Sequence, residues 1–478
     1  MKLIVKRIIA SCIAAALACS AIALDMPVKS IGGKKYFYYK IKKNESLYGI
    51  SKAIGISTTD IVKYNPDAAG RLKKDKYLYF PYDDFAAEES AGDDETERIT
   101  EQVVNDTVPP RISLILPFGL ASDEKTRTNS LALDFYKGFL LAADTLKNRE
   151  GKIDIYAIDS EEPGKTFENI LADSAVINSS VIIVPDNIDD IRTAALAMNG
   201  KKTKVLNVFN VPDSLYLSEP SLIQGNIPQH AMYKLAVQGM MEQWPDAVPV
   251  VLRNIHGRNE KEAFVTYMTT AYNKKGIQPI TIEYDGSLLS SNLEQIPLIA
   301  GSKYVFVSSS GSLVEFNKFA FVLKAFKDRV TAKAEGDYTV NPVEIGILGY
   351  PDWTVFRGDA LDTMHRLNVC VYSRFFDDFN SFDVKCLNDA FSNWYGEEIM
   401  ESVPSQALLG YDFGCYIIKN IHYHNGEFCP VSKDIFRGLQ SAFYFESAGK
   451  GYCNDALYFI NYGSDNAVNA RVLCDYGN

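Results

Sequence analysis

The side chains able to do covalent chemistry are few, and their spacing does not suit it. Of the five histidines, His230, His365, His422 and His424 fall at predicted helix ends, and only His256 follows a predicted strand. No H-E-x-x-H pair, G-x-S-x-G elbow, phosphate loop or G-x-G-x-x-G turn follows a strand. Pairs of Asp and Glu are too common to single out a glycosidase dyad. Six of the eight cysteines, Cys370, Cys386, Cys415, Cys429, Cys453 and Cys474, lie in the last quarter of the chain without a C-x-x-C spacing. His422-Tyr423-His424 near Cys429 reads as a helix end, not as a metal set. In an exported chain such an even set of cysteines is consistent with disulfides of undetermined connectivity. These residues point to binding without catalysis, cofactor or metal.

Composition narrows the partners. A chain of 478 residues, 47% apolar and 23% charged, can bury at least two sizeable cores. A formal charge of -11 without a basic cluster argues against nucleic acid, whose phosphates need a basic surface. Residues 1–23 place Lys2, Lys6 and Arg7 ahead of the apolar run Ile8 to Leu17 and end on Ala21-Ile22-Ala23, the pattern of a secretory signal. Ala16-Leu17-Ala18-Cys19 is a weak lipoprotein box, so a lipid anchor on Cys19 is the competing reading of the same stretch.

The elements that would position a binding site begin at Tyr36. Tyr36 to Lys42 and Lys76 to Pro81 interleave aromatic and polar residues, as a half-buried strand does. Between them Leu47, Ile50, Ser51 and Ile54 recur at helical spacing after Ser46. Ser57-Thr58-Thr59-Asp60 opens a second helix with a capping-box pattern. Gly55 closes the first helix and Asn65-Pro66 the second, giving strand, helix, helix, strand within residues 36–82.

That order resembles the lysin motif (LysM). The residues that carry the resemblance are Tyr39, Ile41, Asn44-Glu45-Ser46-Leu47, Ile50-Ser51, Asn65-Pro66, Leu72, Asp75, Leu78, Phe80 and Pro81. Asn44 and Asp75 stand where the family often has Gly, and both tolerate a left-handed turn better than other side chains do. The resemblance implies binding of N-acetylglucosamine-containing glycan, most often peptidoglycan, between the loop entering helix one and the loop leaving helix two. The residues so implicated are Asn44, Glu45, Ser46, Leu47 and Tyr48, with Asn65, Pro66, Asp67 and Leu72. The plainer alternative is a module that only packs against a protein.

Residues 83–110 are acidic and poor in apolar side chains, the composition of a flexible linker. As a coil, these 28 residues reach roughly 30 Å. From residue 111 short apolar strands alternate with helical periods, among them Ile112 to Pro117, Val181 to Val184, Val248 to Leu252 and Tyr304 to Ser308. Such runs indicate an α/β fold, with parallel sheet and two doubly wound lobes. The division expected is about 111–228 with 380–430 for the first lobe, and about 229–379 with 431–478 for the second.

Gly410-Tyr411-Asp412-Phe413 on a helix, then Phe436 to Phe443 with Gly438-Leu439, then the strand Ala456 to Asn461, resemble type I periplasmic binding proteins of the branched-chain amino-acid receptor kind. The resemblance implies a ligand held between lobes by loops at the carboxyl ends of strands. Here those loops carry Phe118, Gly119, Asp159, Ser160, Asp186, Asn187 and Asn210 from one lobe, and His256, Asp285, Ser309, Ser310 and Tyr350 from the other. The narrower set of candidate ligand contacts is Asp186, Asn187, Asn210, His256, Asp285, Ser309 and Ser310. Val184-Pro185-Asp186-Asn187 departs from the amino-acid binders, and Asp186 would repel a carboxylate. The expectation is a non-catalytic envelope protein, held to peptidoglycan, whose bilobal domain binds a small ligand or docks a protein. A structural scaffold with a degenerate cleft is the alternative, and a cell-wall hydrolase, which the lysin-motif resemblance also raises, is the lesser one.

Overall fold

The computed structural model describes residues 28–31, 34–41, 47–54, 56, 58–69, 76–81, 109–147, 150–209, 214–285, 289–335, 343–378 and 381–475. The signal and Cys19, and nearly all of the linker, lie outside them. The chain divides into a small unit, residues 1–108 with 385–389, and a large unit, residues 109–384 with 390–478.

In the small unit, β1 (Val28–Ile31) and β2 (Lys34–Lys40) precede α1 (Leu47–Ile54) and α2 (Thr58–Tyr64). A 3₁₀ turn at Pro66–Ala69 leads to β3 (Tyr77–Pro81). β2 pairs antiparallel with both neighbours, placing Phe37 opposite Phe80 and Tyr38 opposite Tyr79. The helical spacing read from the sequence is the buried face: Leu47, Ile50 and Ile54 meet Ile61, Leu78 and Phe80 in one core. β1 was not foreseen, although Gly32-Gly33 between it and β2 is a two-residue hairpin signal.

The large unit is two α/β lobes. β4 (Arg111–Leu116), α3 (Arg127–Leu146), β5 (Asp154–Asp159), β6 (Val181–Ile183), α4 (Ile188–Ala197), β7 (Lys204–Asn207) and β8 (Leu222–Gln224) start the first. α5 (Gln229–Gln243), β9 (Val248–Asn254), α6 (Glu262–Lys274), β10 (Ile280–Tyr284), β11 (Lys303–Ser308), α7 (Leu313–Glu335), β12 (Glu344–Gly349), α8 (Asp359–Leu367) and β13 (Val369–Ser373) build the second. The chain then returns through α9 (Phe382–Tyr395), α10 (Gln406–Tyr423) and the short strands β14 (Phe436–Arg437), β15 (Ala442–Phe443), β16 (Phe445–Ala448) and β17 (Gly451–Asn454). It ends with β18 (Leu457–Tyr462) and β19 (Val468–Leu473). The sheet orders are β16-β17-β8-β7-β6-β4-β5 and β10-β9-β11-β12-β13-β18-β19. Within each, the five strands of the first pass run parallel with the first two exchanged, the doubly wound arrangement. β4 is apolar along its length because both faces are covered, with Leu114 and Leu116 in one core and Ile115 in the other.

Two expectations are corrected. Residues 431–454 do not join the second lobe: Tyr452 and Cys453 of β17 pair parallel with Ile223 and Gln224 of β8, extending the first sheet. A six-cysteine disulfide framework does not form, since Cys370, Cys415, Cys429 and Cys453 are free thiols. Cys370 lies in the second sheet and Cys453 in the first, and burial pushes the Cys370 and Cys415 thiols up to about 12, as befits packing residues.

The first lobe closes where α10 lies against α3. A Cβ at Gly138 would come 1.9 Å from the Ala407 carbonyl oxygen, and one at Gly410 would come 1.9 Å from that of Phe135. Gly414 faces Ala142, which a Cβ would approach to 2.7 Å. Gly410→Ala should therefore force the helices apart and lower unfolding free energy by about 1–3 kcal/mol or more, measurable by urea denaturation followed by circular dichroism.

Candidate functional site

Three segments connect the lobes, at residues 225–228, 374–381 and 454–456. The first two follow the carboxyl ends of β8 and β13. The third leaves the carboxyl end of β17 and enters β18, whose Tyr458 sits opposite Ser373 at the end of β13. The carboxyl edges of both sheets are thus turned toward one another, and the loops after the strands line the space between.

Buried polar groups tie these crossings together. The Asn454 amide donates to the carbonyls of Gly225 (3.1 Å) and Ala442 (3.0 Å) and accepts from the N–H groups of Tyr444 and Ala456. Arg374 donates to the Ile227 carbonyl at 3.0 Å, and Phe376 N–H to that of Gln440 at 2.9 Å. Asp412, fully buried on α10, accepts from the backbone N–H groups of Leu439 (2.6 Å), Gln440 (3.0 Å) and Ser441 (2.8 Å). This is the role of the Asp in the Gly410-Tyr411-Asp412 motif: it folds the Gly438-Leu439 turn onto its own helix.

The loop residues singled out from the sequence are mostly engaged by their own or a neighbouring loop. Asp159, at the end of β5, accepts from the N–H groups of Phe118, Gly119, Leu120 and Glu161 at 2.7–3.1 Å. Asn187 caps α4 by accepting from Asp189 N–H at 2.9 Å. The Ser309 hydroxyl bonds Asn259 at 2.6 Å, the Ser310 hydroxyl bonds Glu260 at 2.8 Å, and Gly311 N–H donates to the same Glu260 oxygen. Tyr350 is buried and donates its hydroxyl to the Ser308 carbonyl. Asp186, His256 and Asp285 remain exposed, with His256 Nε2 3.7 Å from Asp285 Oδ2. Asn210 lies outside the described residues.

In the small unit, Leu47 is corrected from glycan contact to core: at 5% exposure its side chain is enclosed by the module. Asn65 is a staple, its amide donating to the carbonyls of Ile61 (3.1 Å) and Tyr79 (2.9 Å) and accepting from Tyr79 N–H (2.8 Å). Pro66 is exposed. Asn44, Glu45, Ser46 and Leu72, and the side chains of Tyr48 and Asp67, lie outside the described residues.

Residues 39–80 match the family model described as LysM domain. No curated protein matches the chain. Among solved structures, a putative branched-chain amino acid ABC transporter from Rhodospirillum rubrum is 12% identical, covers 77% of this chain and 100% of its own, and superposes with a TM-score of 0.51. An ABC transporter substrate-binding protein from Desulfitobacterium hafniense in complex with Leu is 16% identical over 76% and 100% of the two chains, with a TM-score of 0.40. Full-length LpoA from Haemophilus influenzae is 14% identical over 76% of this chain and 59% of its own, with a TM-score of 0.47. Residues 39–80 are a LysM domain, and from Pro109 onward the chain has the two-lobed fold of type I periplasmic binding proteins.

Two carboxyl groups beside the crossings set a pH dependence. Burial, then the nearby Asp412 and Asp378, pushes Asp377 up to about 7, and one of its oxygens is buried without a hydrogen-bond partner. Burial pushes Asp412 up to about 6 against its three N–H donors. Both folded values exceed the ordinary 3.8, so the folded chain binds protons that the unfolded chain releases. Stability contributed this way is present below about pH 4 and is lost as pH rises toward 7. Asp377→Asn should flatten the decline of melting temperature between pH 5 and 8 and melt higher than wild type at pH 8, by scanning calorimetry.

Proposed function

We propose that this protein is a non-catalytic component of the cell envelope, held to peptidoglycan by its LysM domain, and that its bilobal domain docks another envelope protein. The observation that carries the anchoring half is the LysM match over residues 39–80. The docking half is supported by the loops at the carboxyl edges of the sheets. A receptor for a small molecule needs polar groups left free to converge on it, whereas Asp159, Asn187, Ser309, Ser310 and Glu260 are already bonded within or between neighbouring loops. Export follows from the leader at residues 1–23, and the periplasm is the compartment that suits both domains.

The second reading is a receptor. Asp186, Asp285 and His256 are the exposed candidates at that edge, and two carboxylates there favour a cationic ligand over an amino-acid carboxylate.

Sedimentation with purified peptidoglycan sacculi tests the anchor. The full chain should co-sediment, and deletion of residues 36–82 should reduce the bound fraction by about tenfold or more. Undiminished retention of the deleted protein would refute the anchoring role.

A further inference from the structure

The first lobe carries a groove of about 630 Å³ at the end of α10, lined by Tyr416, Lys419, His422, Tyr423, Lys433 and Phe436. It lies on the side of the lobe away from the crossings. α10 begins beside Gln440, where Ser405 N–H donates to the Gln440 side chain, and ends beside the amino edge of the first sheet. There Ser180, whose N–H donates to the Arg111 carbonyl, gives its hydroxyl to the Gly426 carbonyl. The groove is therefore separate from the loops after the strands.

Its chemistry is mixed in a specific way. Tyr423 is 68% exposed yet held in place: Lys433 donates to its hydroxyl at 3.1 Å, and the His424 ring meets it edge-on with centroids 4.9 Å apart. Lys419 lies over the Phe436 ring at 5.8 Å. His422 Nε2 is buried in the wall without a hydrogen-bond partner. Glu150 and Asp434, which also line the groove, balance the two lysines.

A field of balanced sign suits neither a polyanion nor a polycation. Fixed aromatic faces beside both donors and acceptors suit a ligand with one apolar face and a rim of hydroxyl and amide groups. A pyranose ring is such a ligand: its C–H face lies on the electron-rich ring face, and its substituents reach the charged side chains. Holding Tyr423 in position before binding reduces the entropy lost on association. We infer that this groove is a saccharide-binding site of the first lobe, independent of the LysM domain, with Tyr423 as the stacking platform and Lys419 and His422 as polar contacts.

The test is nuclear magnetic resonance of the full chain carrying ¹³C-labelled histidine, titrated with the disaccharide of N-acetylglucosamine and N-acetylmuramic acid. The His422 and His424 ring signals report on this groove alone, so sugar captured by residues 39–80 does not confuse the result. Saturable shifts of both signals are expected in wild type. Tyr423→Ala should weaken the apparent affinity by about tenfold or more, while Tyr423→Phe, which keeps the stacking face, should stay within about threefold. Absence of shifts in wild type overturns the inference, as does an unchanged affinity in Tyr423→Ala. Shifts produced by an Ala-Glu dipeptide and not by the sugar also overturn it, and would mark a peptide site. Failure of the sacculus experiment leaves this outcome untouched, because its readout is confined to the first lobe.

Discussion

The near-contact of α3 and α10 is the constraint on which the large unit rests. Two helices more than 250 residues apart in sequence lie so close that backbone meets backbone, and only glycine at positions 138 and 410 permits it. Through that contact Phe135, Phe139, Phe413 and Ile417 are buried against the first sheet. The placement of α10 then fixes Asp412, whose carboxylate gathers the 439–441 turn, and from that turn β15, β16 and β17 run to the edge of the sheet. One helix–helix approach thus decides where the crossings between the lobes can lie.

Those crossings carry an unusual density of buried polar groups. Asn454 links two of the three segments through a single side chain, and Asp377 and Asp412 place two carboxyls within electrostatic reach in a poorly solvated region. Such groups cost stability unless satisfied, and Asn454 and Asp412 are satisfied by backbone donors and acceptors supplied by other segments. The bond network consequently specifies one arrangement of chain at the crossings, because a slipped arrangement would leave those groups unpaired.

The parts legible in the sequence are those whose burial is local or two-sided. β4, β6, β9, β11, β12 and β13 announce themselves as continuous apolar runs, and α1 and α3 by helical period, because each residue's environment follows from its own element. β8, β14 to β17 and β19 were not foreseen. Most are two to four residues long, and β17 exists because Ile223 and Gln224 offer an edge more than 220 residues earlier. The loop positions of Asp159, Asn187, Ser309 and Ser310 were readable, since they follow strands. That their side chains are taken up within or between neighbouring loops depends on loop conformation, which composition does not encode. His422-Tyr423-His424 is a helix end, as its pattern suggests. It becomes one wall of a groove only because residues 431–436 come round to face it.

The interleaving of the lobes has a consequence for how the molecule is made. Neither sheet is complete in a continuous stretch of chain: the first waits for β16 and β17, the second for β18 and β19, all within the final forty residues. A nascent chain therefore emerges with two unpaired strand edges, and keeps them until synthesis is nearly finished. Exposed edges of this kind invite pairing with other chains. Transport across a membrane in an unfolded state suits this architecture, since assembly then begins only once the last strands are at hand.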